Sequence, residues 1–456
     1  MPKENIAIVG SGLVGSLLAI YLEKRNHTIT VFDRRPDIRN IEFSGRSINL
    51  AMSRRGWKTL EKVGLRREVE ALGIPMYHRA IHIKGKPIQK QPYGLKGEAI
   101  YSISRGLLNR KMISIAEEKG VTFRFEEKVW NIDMPTSTLF TGASETGEWQ
   151  PHTYDLIFGA DGAFSRVRHR MQRRSRFDYS QDFLDTGYKE LRIPPGPDGE
   201  HQIDKNALHI WPRGKFMLIA LPNLDGSFTC TLFMPHDGPD SFENLTDTSS
   251  VQRFWEEYFP DTLEYMPTLL EDYARNPTSA LVTIKCYPWT YWNKVALIGD
   301  AAHAIVPFYG QGMNAGFEDI FELDRIIDEY EESPDWQSVF ERYQQQRKPN
   351  ADAIAQLSYD NFIEMSSKTA DPDFLLRKKI EKAYATEFPE YWLPLYSRVT
   401  FSDQSYQEAY SVGQKQQRIM DKIMSIDQIE KKWMTDEVKQ IWRNLVRQNE
   451  LKTFVK

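Results

Sequence analysis

A single βαβ unit near the start of the chain, from Asn5 to Asp33, constrains the fold more than any other segment. An apolar strand precedes the turn Gly-Ser-Gly-Leu-Val-Gly, an apolar helical pattern follows it, and a second strand ends at Asp33. Asp33 follows the first glycine at close to the spacing of roughly 20 residues at which an acid accepts a ribose hydroxyl. Glycines at these positions permit a tight turn, close approach to a pyrophosphate and helix-to-strand packing. We therefore predict a doubly wound α/β dinucleotide-binding domain, with these contacts: Gly10, Gly12, Leu13, Val14, Gly15 and Asp33.

The segment 155–168 has the sequence DLIFGADGAFSRVR, in which glycine and aspartate again follow an apolar strand. Taken alone, its Asp-Gly pair is equally typical of an ordinary β-turn. Because the segment repeats the pattern of the first unit, we predict that Asp161 belongs to the same cofactor site.

A third segment of this kind, 299–314, has the sequence GDAAHAIVPFYGQGMN and follows the apolar run 295–298. A strand that ends in Gly-Asp brings a carboxylate to the edge where open α/β sheets bind ligands, so Asp300 is expected to accept a ribitol or ribose hydroxyl. Glycine lets the backbone approach a flat ring closely, and the N-terminus of the helix that follows favours the negative charge of a reduced flavin. The contacts predicted here are Asp300, Pro307, Gly310 and Gly312, and Met313 and Asn314 begin the helical segment that follows.

Composition excludes several classes of protein. The chain of 456 residues has 59 basic and 63 acidic side chains, a net charge of -4, so no basic field predicts a nucleic-acid partner. Its two cysteines, Cys230 and Cys286, are too few for a disulfide framework and have no metal-ligand spacing. No apolar stretch approaches the roughly 18 residues of a membrane span, and the N-terminus lacks a signal peptide's apolar region. We therefore expect a soluble, cytoplasmic protein without metal or membrane anchor.

The middle and the end of the chain differ in pattern. Short apolar runs separated by turn residues between 191 and 235 predict an antiparallel sheet, which can form the wall of a pocket. After Phe317 the periodicity becomes helical and predicts helices at 318–330, 336–347 and 351–365, with shorter ones to the end. His303 is interpreted as a hydrogen-bonded residue near a helix and not as a general base.

Together, the motifs GSGLVG, GADG and GDAAH resemble those of the FAD-dependent aromatic hydroxylases, which form a flavin C4a-hydroperoxide. Finer motifs, spread from residue 5 to 401, resemble the soluble bacterial members that hydroxylate L-kynurenine: GRSINLAMSRRG (45–56), QPYG (91–94), LHIWPRG (208–214), LPNLDGSFT (221–229), VPFYGQGMN (306–314) and NFIEMSSK (361–368). The resemblance implies that NADPH reduces bound FAD, that O2 reacts with it, and that L-kynurenine becomes 3-hydroxykynurenine in tryptophan degradation. No protein nucleophile, base or metal is expected, because the cofactor supplies the chemistry.

The resemblance also implies roles for individual residues. Four match the positions that bind the substrate's amino-acid group: Arg79, Tyr93, Asn361 and Tyr396. An apolar wall around the aromatic ring is implied, with Glu364 beside it, by Leu221, Phe233, Phe308, Tyr309 and Met365. The resemblance implies Asp300 as an FAD contact as well, and further FAD contacts at Arg34, Arg105, Met313 and Asn314. Tyr309 is assigned to contact and not to proton transfer.

The resemblance implies a GR2-type Rossmann-like FAD domain with an inserted antiparallel sheet and a helical C-terminal region. We divide the chain into FAD-domain segments at 1–75, 101–180 and 286–365, substrate-domain segments at 76–100 and 181–285, and a helical region at 366–456 that could act as a lid. Two alternatives stay open: a hydroxylase of another, phenolic aromatic, and a non-catalytic carrier of the same fold, as in the GDP-dissociation inhibitors of small GTPases. A flavin halogenase is disfavoured, since its Trp-x-Trp-x-Ile-Pro segment does not occur.

Overall fold

The structure is a computed structural model that describes residues 3–41, 49–94, 97–142, 144, 146–330, 333–365, 371–449 and 451. Two of the motifs extend beyond this part of the chain. Residues 45–48 of the motif at 45–56 and residues 366–368 of the motif at 361–368 lie outside the described residues.

A six-stranded sheet forms the centre of the first lobe. Its strands follow the order Thr290–Tyr291, Val295–Leu297, Leu156–Gly159, Asn5–Val9, Thr28–Phe32 and Thr122–Arg124, and every pairing except the first is parallel. The helices Leu13–Lys24, Arg105–Glu118 and Gly312–Asp328 pack around it, and the strand side chains are almost fully buried, as parallel sheets require. The three strand-glycine-aspartate motifs follow three adjacent parallel strands, so all three end at the same edge of this sheet.

A seven-stranded sheet forms the second lobe. Its order is Ser279–Tyr287, Asp178–Ile193, Phe228–Pro235, Phe216–Pro222, Ala207–Arg213, His78–Ile81 and Gln89–Pro92. The predicted antiparallel sheet is therefore present, with one exception: His78–Ile81 pairs in parallel with Ala207–Arg213. This exception arises because His78–Ile81 reaches the sheet from a distant part of the chain and not through a hairpin. The helices Thr248–Tyr258 and Leu269–Arg275, joined by the 3₁₀ turn Pro260–Tyr265, cover one face.

Smaller sheets and helices complete the part of the molecule before the C-terminal helices. One three-stranded sheet has the order Asn49–Met52, Ile100–Ser104 and Gly73–Met76, and another has the order Gln150–Thr153, Thr138–Gly142 and Lys128–Asp133. The connecting helices are Arg54–Lys62, Arg66–Glu70, Arg166–Met171 and Asp300–His303, with a 3₁₀ turn at Pro307–Tyr309. The domain boundaries given above stay a prediction.

The C-terminal part is helical, as expected, but its first long helix differs from the prediction. Trp336–Ile363 is one continuous helix with Pro349 inside it, whereas the sequence predicted two helices on either side of that proline. A proline within a helix removes one hydrogen bond and crowds the carbonyl four residues earlier, here that of Gln345. Both residues border a side crevice of about 350 Å³. Buried side chains on both sides of the proline, such as Tyr343 and Ile354, pack the two halves into the core as one helix.

The remaining helices are Pro372–Glu387, Leu395–Phe401, Tyr406–Met424, Ile429–Lys432 and Asp436–Gln448. Most of them share a separate core in which Tyr384, Trp392 and Trp442 are buried. Within the described ranges, no helix is both long enough and apolar enough to cross a membrane.

Candidate functional site

One cavity of about 2440 Å³ extends from the edge of the six-stranded sheet to the seven-stranded sheet and the C-terminal helices. Its volume is more than twice the roughly 1,000 Å³ of a large drug-sized pocket, so it can hold a dinucleotide together with a second molecule. All but two of the residues predicted for the cofactor and substrate sites line this cavity. The exceptions are Gly15 and Asn314, which lie behind its wall.

The first glycine turn is shaped for close approach of a ligand. Gly10 has φ +108°, and a Cβ on it would lie 2.5 Å from the carbonyl oxygen of Ala160. A Cβ on Gly12, by contrast, would meet no atom within 4 Å, so this position is open toward the cavity. A Cβ on Gly15 would collide with the carbonyl of Gly10, so Gly15 serves helix packing. The first two glycines thus have different roles: Gly10 lets the backbone pass close to Ala160, and Gly12 keeps space open in the cavity.

Asp33 is buried at the end of the strand Thr28–Phe32 and borders the cavity. Its Oδ2 accepts hydrogen bonds from the amide (2.9 Å) and the hydroxyl (2.7 Å) of Ser11. Burial by itself raises the pKa of this carboxyl, but hydrogen bonds from Arg35 and Ser11 outweigh it and hold the pKa below its usual value. Asp33 is therefore an ionised acceptor at neutral pH, which suits binding of a ribose hydroxyl.

Asp161 also borders the cavity, but its carboxylate already accepts protein hydrogen bonds. The Ser165 hydroxyl donates to one oxygen (2.5 Å), and the amide of Arg166 donates to the other (2.6 Å). Asp161 thereby holds the start of the helix Arg166–Met171. Burial raises its pKa in spite of these bonds. The Asp161 side chain thus stabilises the turn before the helix Arg166–Met171, and a contact with a cofactor would be in addition to these bonds.

The third motif forms the floor of the cavity between the two predicted sites. Gly299 and Gly310 have φ of +61° and +67°, values that favour glycine, and the side chain of Asp300 is exposed toward the cavity. His303 is buried, and its Nε2 lies 2.5 Å from Asp319 Oδ2, which agrees with its interpretation as a hydrogen-bonded residue. Pro307, Gly312 and Met313 line the same floor.

Asn314 is fully buried, and its side chain is occupied by protein partners. Its Oδ1 accepts from the amide of Ser53 (3.0 Å), and its Nδ2 donates to the carbonyls of Ala51 (2.8 Å) and Gly310 (3.0 Å). The side chain thus ties the glycine turn to the strand Asn49–Met52. This arrangement supports the cavity floor and leaves no side-chain atom of Asn314 for a cofactor.

The predicted amino-acid end of the cavity is a stack of three phenols with one guanidinium. The ring of Tyr396 stacks on Tyr93 at 5.6 Å and on Tyr309 at 5.5 Å. Arg79 Cζ lies 4.5 Å from the ring centroid of Tyr396 and 4.9 Å from that of Tyr93. The buried hydroxyl of Tyr93 has no hydrogen-bond partner in the described part of the chain. A cation beside an unsatisfied hydroxyl is suited to a carboxylate.

The aromatic wall continues from there. The ring of Phe308 lies 5.0 Å from that of Phe233, and Asn361 Nδ2 donates a 2.7 Å hydrogen bond to the Phe308 carbonyl. Leu221 and Met365 line the same part of the cavity. Glu364, which also lines it, forms an ion pair with Lys378 at 3.0 Å. The result is an apolar slot of aromatic side chains with polar groups at one end.

Tyr309 is buried between this slot and the helix Trp336–Ile363. Burial raises its pKa well above the usual value, so the phenol stays protonated at physiological pH. A protonated phenol can donate a hydrogen bond but cannot act as a base. This fits the assignment of Tyr309 to contact.

The two predicted cofactor arginines lie elsewhere along the cavity. Arg34 is exposed immediately after the strand that ends with Phe32, and Arg105 is the first residue of the helix Arg105–Glu118. Both line the cavity.

Several residues of the seven-stranded sheet line the cavity but were not predicted from the sequence. The strands of the second sheet are apolar on both faces: one face packs against helices, for example through Trp211, Leu218 and Leu232. The alternate residues face the cavity, and they include Leu208, Ile210, Met217, Ile219 and Thr231. The two-residue period separates the two sets, but it does not indicate which face is covered by helices.

Comparison with known proteins agrees with this geometry. The family model described as FAD binding domain matches residues 3–358. The fold resembles the tetrameric form of 2-methyl-3-hydroxypyridine-5-carboxylic acid oxygenase, with a TM-score of 0.67 at 19% identity, covering 83% of this chain and 96% of that one. The predicted fold class, an FAD-binding α/β domain with an inserted sheet and a helical C-terminal region, is confirmed.

Closer relatives match nearly the whole chain. Kynurenine 3-monooxygenase of Christiangramia forsetii is 60% identical over 98% of this chain and 100% of its own length. The protein of the same name from Flavobacterium psychrophilum is 61% identical over 96% of this chain and 97% of its own length, and that of Myxococcus xanthus is 45% identical over 90% and 89%. With the dinucleotide fold and the amino-acid end joined in one cavity, these matches show that the chain belongs to the FAD-binding kynurenine 3-monooxygenase family.

Proposed function

We propose that this protein is an FAD-dependent monooxygenase that converts L-kynurenine, NADPH, a proton and O2 into 3-hydroxykynurenine, NADP⁺ and water. The observation that carries the proposal is one cavity, which has a dinucleotide-binding edge at one end and, at the other, an arginine among stacked phenols that pairs with no acidic side chain in the described part of the chain. The near full-length relatives named kynurenine 3-monooxygenase support the choice of substrate.

The residues around the glycine turns fit FAD. Gly12 leaves open the space that a pyrophosphate needs beside the N-terminus of the helix Leu13–Lys24, and ionised Asp33 can accept ribose hydroxyl groups. Asp300 can accept hydroxyl groups of the ribityl chain, and the backbone at Gly310 and Gly312 can approach a flat ring. When bound, FAD accepts reducing equivalents from NADPH and activates O2.

The amino-acid end fits a zwitterionic aromatic substrate. The Arg79 guanidinium would hold the carboxylate, with the Tyr93 hydroxyl as a second donor. Asn361 and Tyr396 would complete this shell. The substrate ring would lie in the slot formed by Phe233, Phe308 and their neighbours, in contact with Tyr309 and above the floor at 307–312. The apolar walls would keep water from the reacting atoms.

Further expectations follow from this proposal. The protein acts in the cytoplasm on a free amino acid, without nucleic acid as a partner. The C-terminal helices that border the cavity, among them Leu395–Phe401, act as its cover.

Anaerobic flavin reduction tests the proposal. The FAD-loaded protein is mixed with NADPH with and without L-kynurenine, and the loss of flavin absorbance is followed; air is then admitted and products are separated. We expect kynurenine to accelerate reduction and to yield 3-hydroxykynurenine. A protein that shows neither effect does not have the proposed function.

Two control compounds separate the alternatives. 2-Aminoacetophenone has the ring and the ketone of kynurenine but not its amino-acid group, so it should accelerate reduction far less. A phenolic acid such as 4-hydroxybenzoate should have no effect; if it is hydroxylated and kynurenine is not, the phenolic alternative is correct. A folded protein that does not bind FAD at all would favour a non-catalytic carrier.

A further inference from the structure

Two adjacent acidic residues on the helix Gly312–Asp328 share one buried arginine. Arg347 donates through Nη1 to Glu318 (2.8 Å) and through Nε to Asp319 (2.7 Å). Burial by itself raises the pKa of both carboxyls, but the cations beside them outweigh it and hold both values below the usual range. Neither carboxylate lines the cavity, and buried charges of this kind destabilise a protein unless they are paired.

The second oxygen of Asp319 is directed to the cavity floor. It accepts from the amide of Gly299 (3.0 Å) and lies 2.5 Å from Nε2 of His303. Gly299 precedes the short helical turn Asp300–His303, which carries Asp300 to the cavity, and His303 is the last residue of that turn. The carboxylate of Asp319, itself fully buried, therefore fixes both ends of the turn that is proposed to hold the ribityl chain.

Glu318 connects in the opposite direction. Its carboxylate pairs with the guanidinium of Arg55, which is also buried. Arg55 Nε donates to the carbonyl of Val399 (3.0 Å), and its Nη2 donates to the carbonyl of Gln404. Val399 belongs to the helix Leu395–Phe401, which carries Tyr396 into the amino-acid end of the cavity.

We infer that Asp319 and Glu318 are positioning residues for different walls of the site: Asp319 for the FAD-binding turn at Gly299–His303, and Glu318, through Arg55, for the helix that carries Tyr396. The kynurenine side of this inference rests on the proposed function. Neither residue touches substrate or cofactor. Each acts through its hydrogen-bond partners on a segment that does.

Two isosteric substitutions test the inference. Asp319→Asn weakens the bonds to Gly299 and His303, so the Kd for FAD should rise about tenfold or more, as expected for one lost charge-assisted bond. The Kd of the FAD-saturated variant for L-kynurenine should stay within about threefold. Glu318→Gln should raise the Kd for L-kynurenine about tenfold or more and leave the Kd for FAD within about threefold. FAD binding is measured by quenching of its fluorescence on the apoprotein, and kynurenine binding by calorimetry.

Asp324→Asn provides a matched control. Asp324 is a buried carboxylate on the same helix, but it pairs with Arg25 (2.6 Å) away from the cavity. It should leave both dissociation constants unchanged, even though the melting temperature falls. A purely structural role of the network would make Asp319→Asn and Glu318→Gln equivalent, each changing both constants or neither, and that result overturns the inference.

Substitutions at the hydrogen-bond partners of Asp319 and Glu318 test the inference if either of the first two variants does not fold. If Asp319→Asn does not fold, His303→Gln should still raise the Kd for FAD; if Glu318→Gln does not fold, Arg55→Lys should still raise the Kd for kynurenine. Wild-type constants for these replacements overturn the inference. If the wild-type protein itself does not bind kynurenine, the proposed function is wrong, and so is the role inferred for Glu318. The FAD measurements on Asp319→Asn still decide the role of Asp319.

Discussion

The guanidinium of Arg79 lies 4.5 Å above the ring of Tyr396, although the two residues are far apart in the chain. Arg79 is on the strand His78–Ile81 and Tyr396 on the helix Leu395–Phe401, so the second lobe and the C-terminal helices meet at this point. No acidic side chain pairs with Arg79 among the residues that the structure describes. The faces of aromatic rings therefore hold this cation in place, without an opposite charge beside it from the described residues.

Substitution of Arg79 by alanine should weaken kynurenine binding by about 1.5 to 3 kcal/mol, the usual range for a charge-assisted hydrogen bond. Calorimetry on the FAD-loaded protein measures this loss. Arg192→Ala is the matched control, because Arg192 is an exposed arginine of the same sheet that pairs with Asp225 away from the cavity. If the folded Arg79→Ala protein binds L-kynurenine as tightly as the wild type, Arg79 is not part of the substrate site.

The first two glycines of the N-terminal turn should respond differently to alanine. Gly10→Ala places a Cβ against the Ala160 carbonyl at φ +108°, so it should lower the free energy of unfolding by about 1 to 3 kcal/mol even without FAD. Gly12→Ala meets no protein atom, so the apoprotein should melt as the wild type does while FAD affinity falls at least about tenfold. Differential scanning fluorimetry with and without FAD distinguishes these effects. Wild-type FAD affinity in Gly12→Ala would show that the pyrophosphate lies elsewhere.

Asp300→Ala should release FAD more readily, because the carboxylate is exposed toward the cavity and is expected to accept hydroxyl groups of the ribityl chain. The loss should be about 1 to 2 kcal/mol, measured as flavin remaining after dilution and gel filtration. Asp182→Ala, an exposed aspartate of the second sheet that does not line the cavity, is the control. Full flavin occupancy in Asp300→Ala would assign Asp300 a structural role only.

Tyr309→Phe should retain kcat/KM within about threefold, because the ring contact is kept and only a hydroxyl is lost. Burial raises the pKa of this phenol, so it loses its proton only in strongly alkaline solution and does not titrate between pH 6 and 9. The variant and the wild type should therefore have the same pH profile over this range. A large loss of kcat with an altered profile would show that Tyr309 takes part in proton transfer.

Much of the fold follows from local patterns. The glycine turn before Leu13–Lys24 has the residue spacing of a dinucleotide-binding turn, and the apolar strands before the turn and after the helix indicate a βαβ unit. Pro349 shows the limit of this reasoning: local preference ends a helix there, but buried side chains on both sides of the proline keep Trp336–Ile363 as one helix. Tertiary packing overrode the local signal.

The candidate site divides in the same way. The sequence indicated which residue types cluster around glycine turns and, by resemblance, which side chains form the amino-acid end. It did not indicate that Asn314 would be occupied by Ser53, Ala51 and Gly310, because these bonds join segments that are distant in the chain. Nor did it indicate which face of the second sheet borders the cavity.

By itself, the amino-acid sequence determined the dinucleotide-binding unit and its two companion motifs, because turn geometry and residue type act over a few neighbouring positions. The class of chemistry followed from the resemblance of these motifs to those of the aromatic hydroxylases. Only the tertiary structure decided that the three motifs end at one edge of one sheet and that Arg79 meets Tyr396. It also decided that Arg347 joins Glu318 to Asp319. Such contacts depend on how distant segments pack, and no local periodicity encodes them.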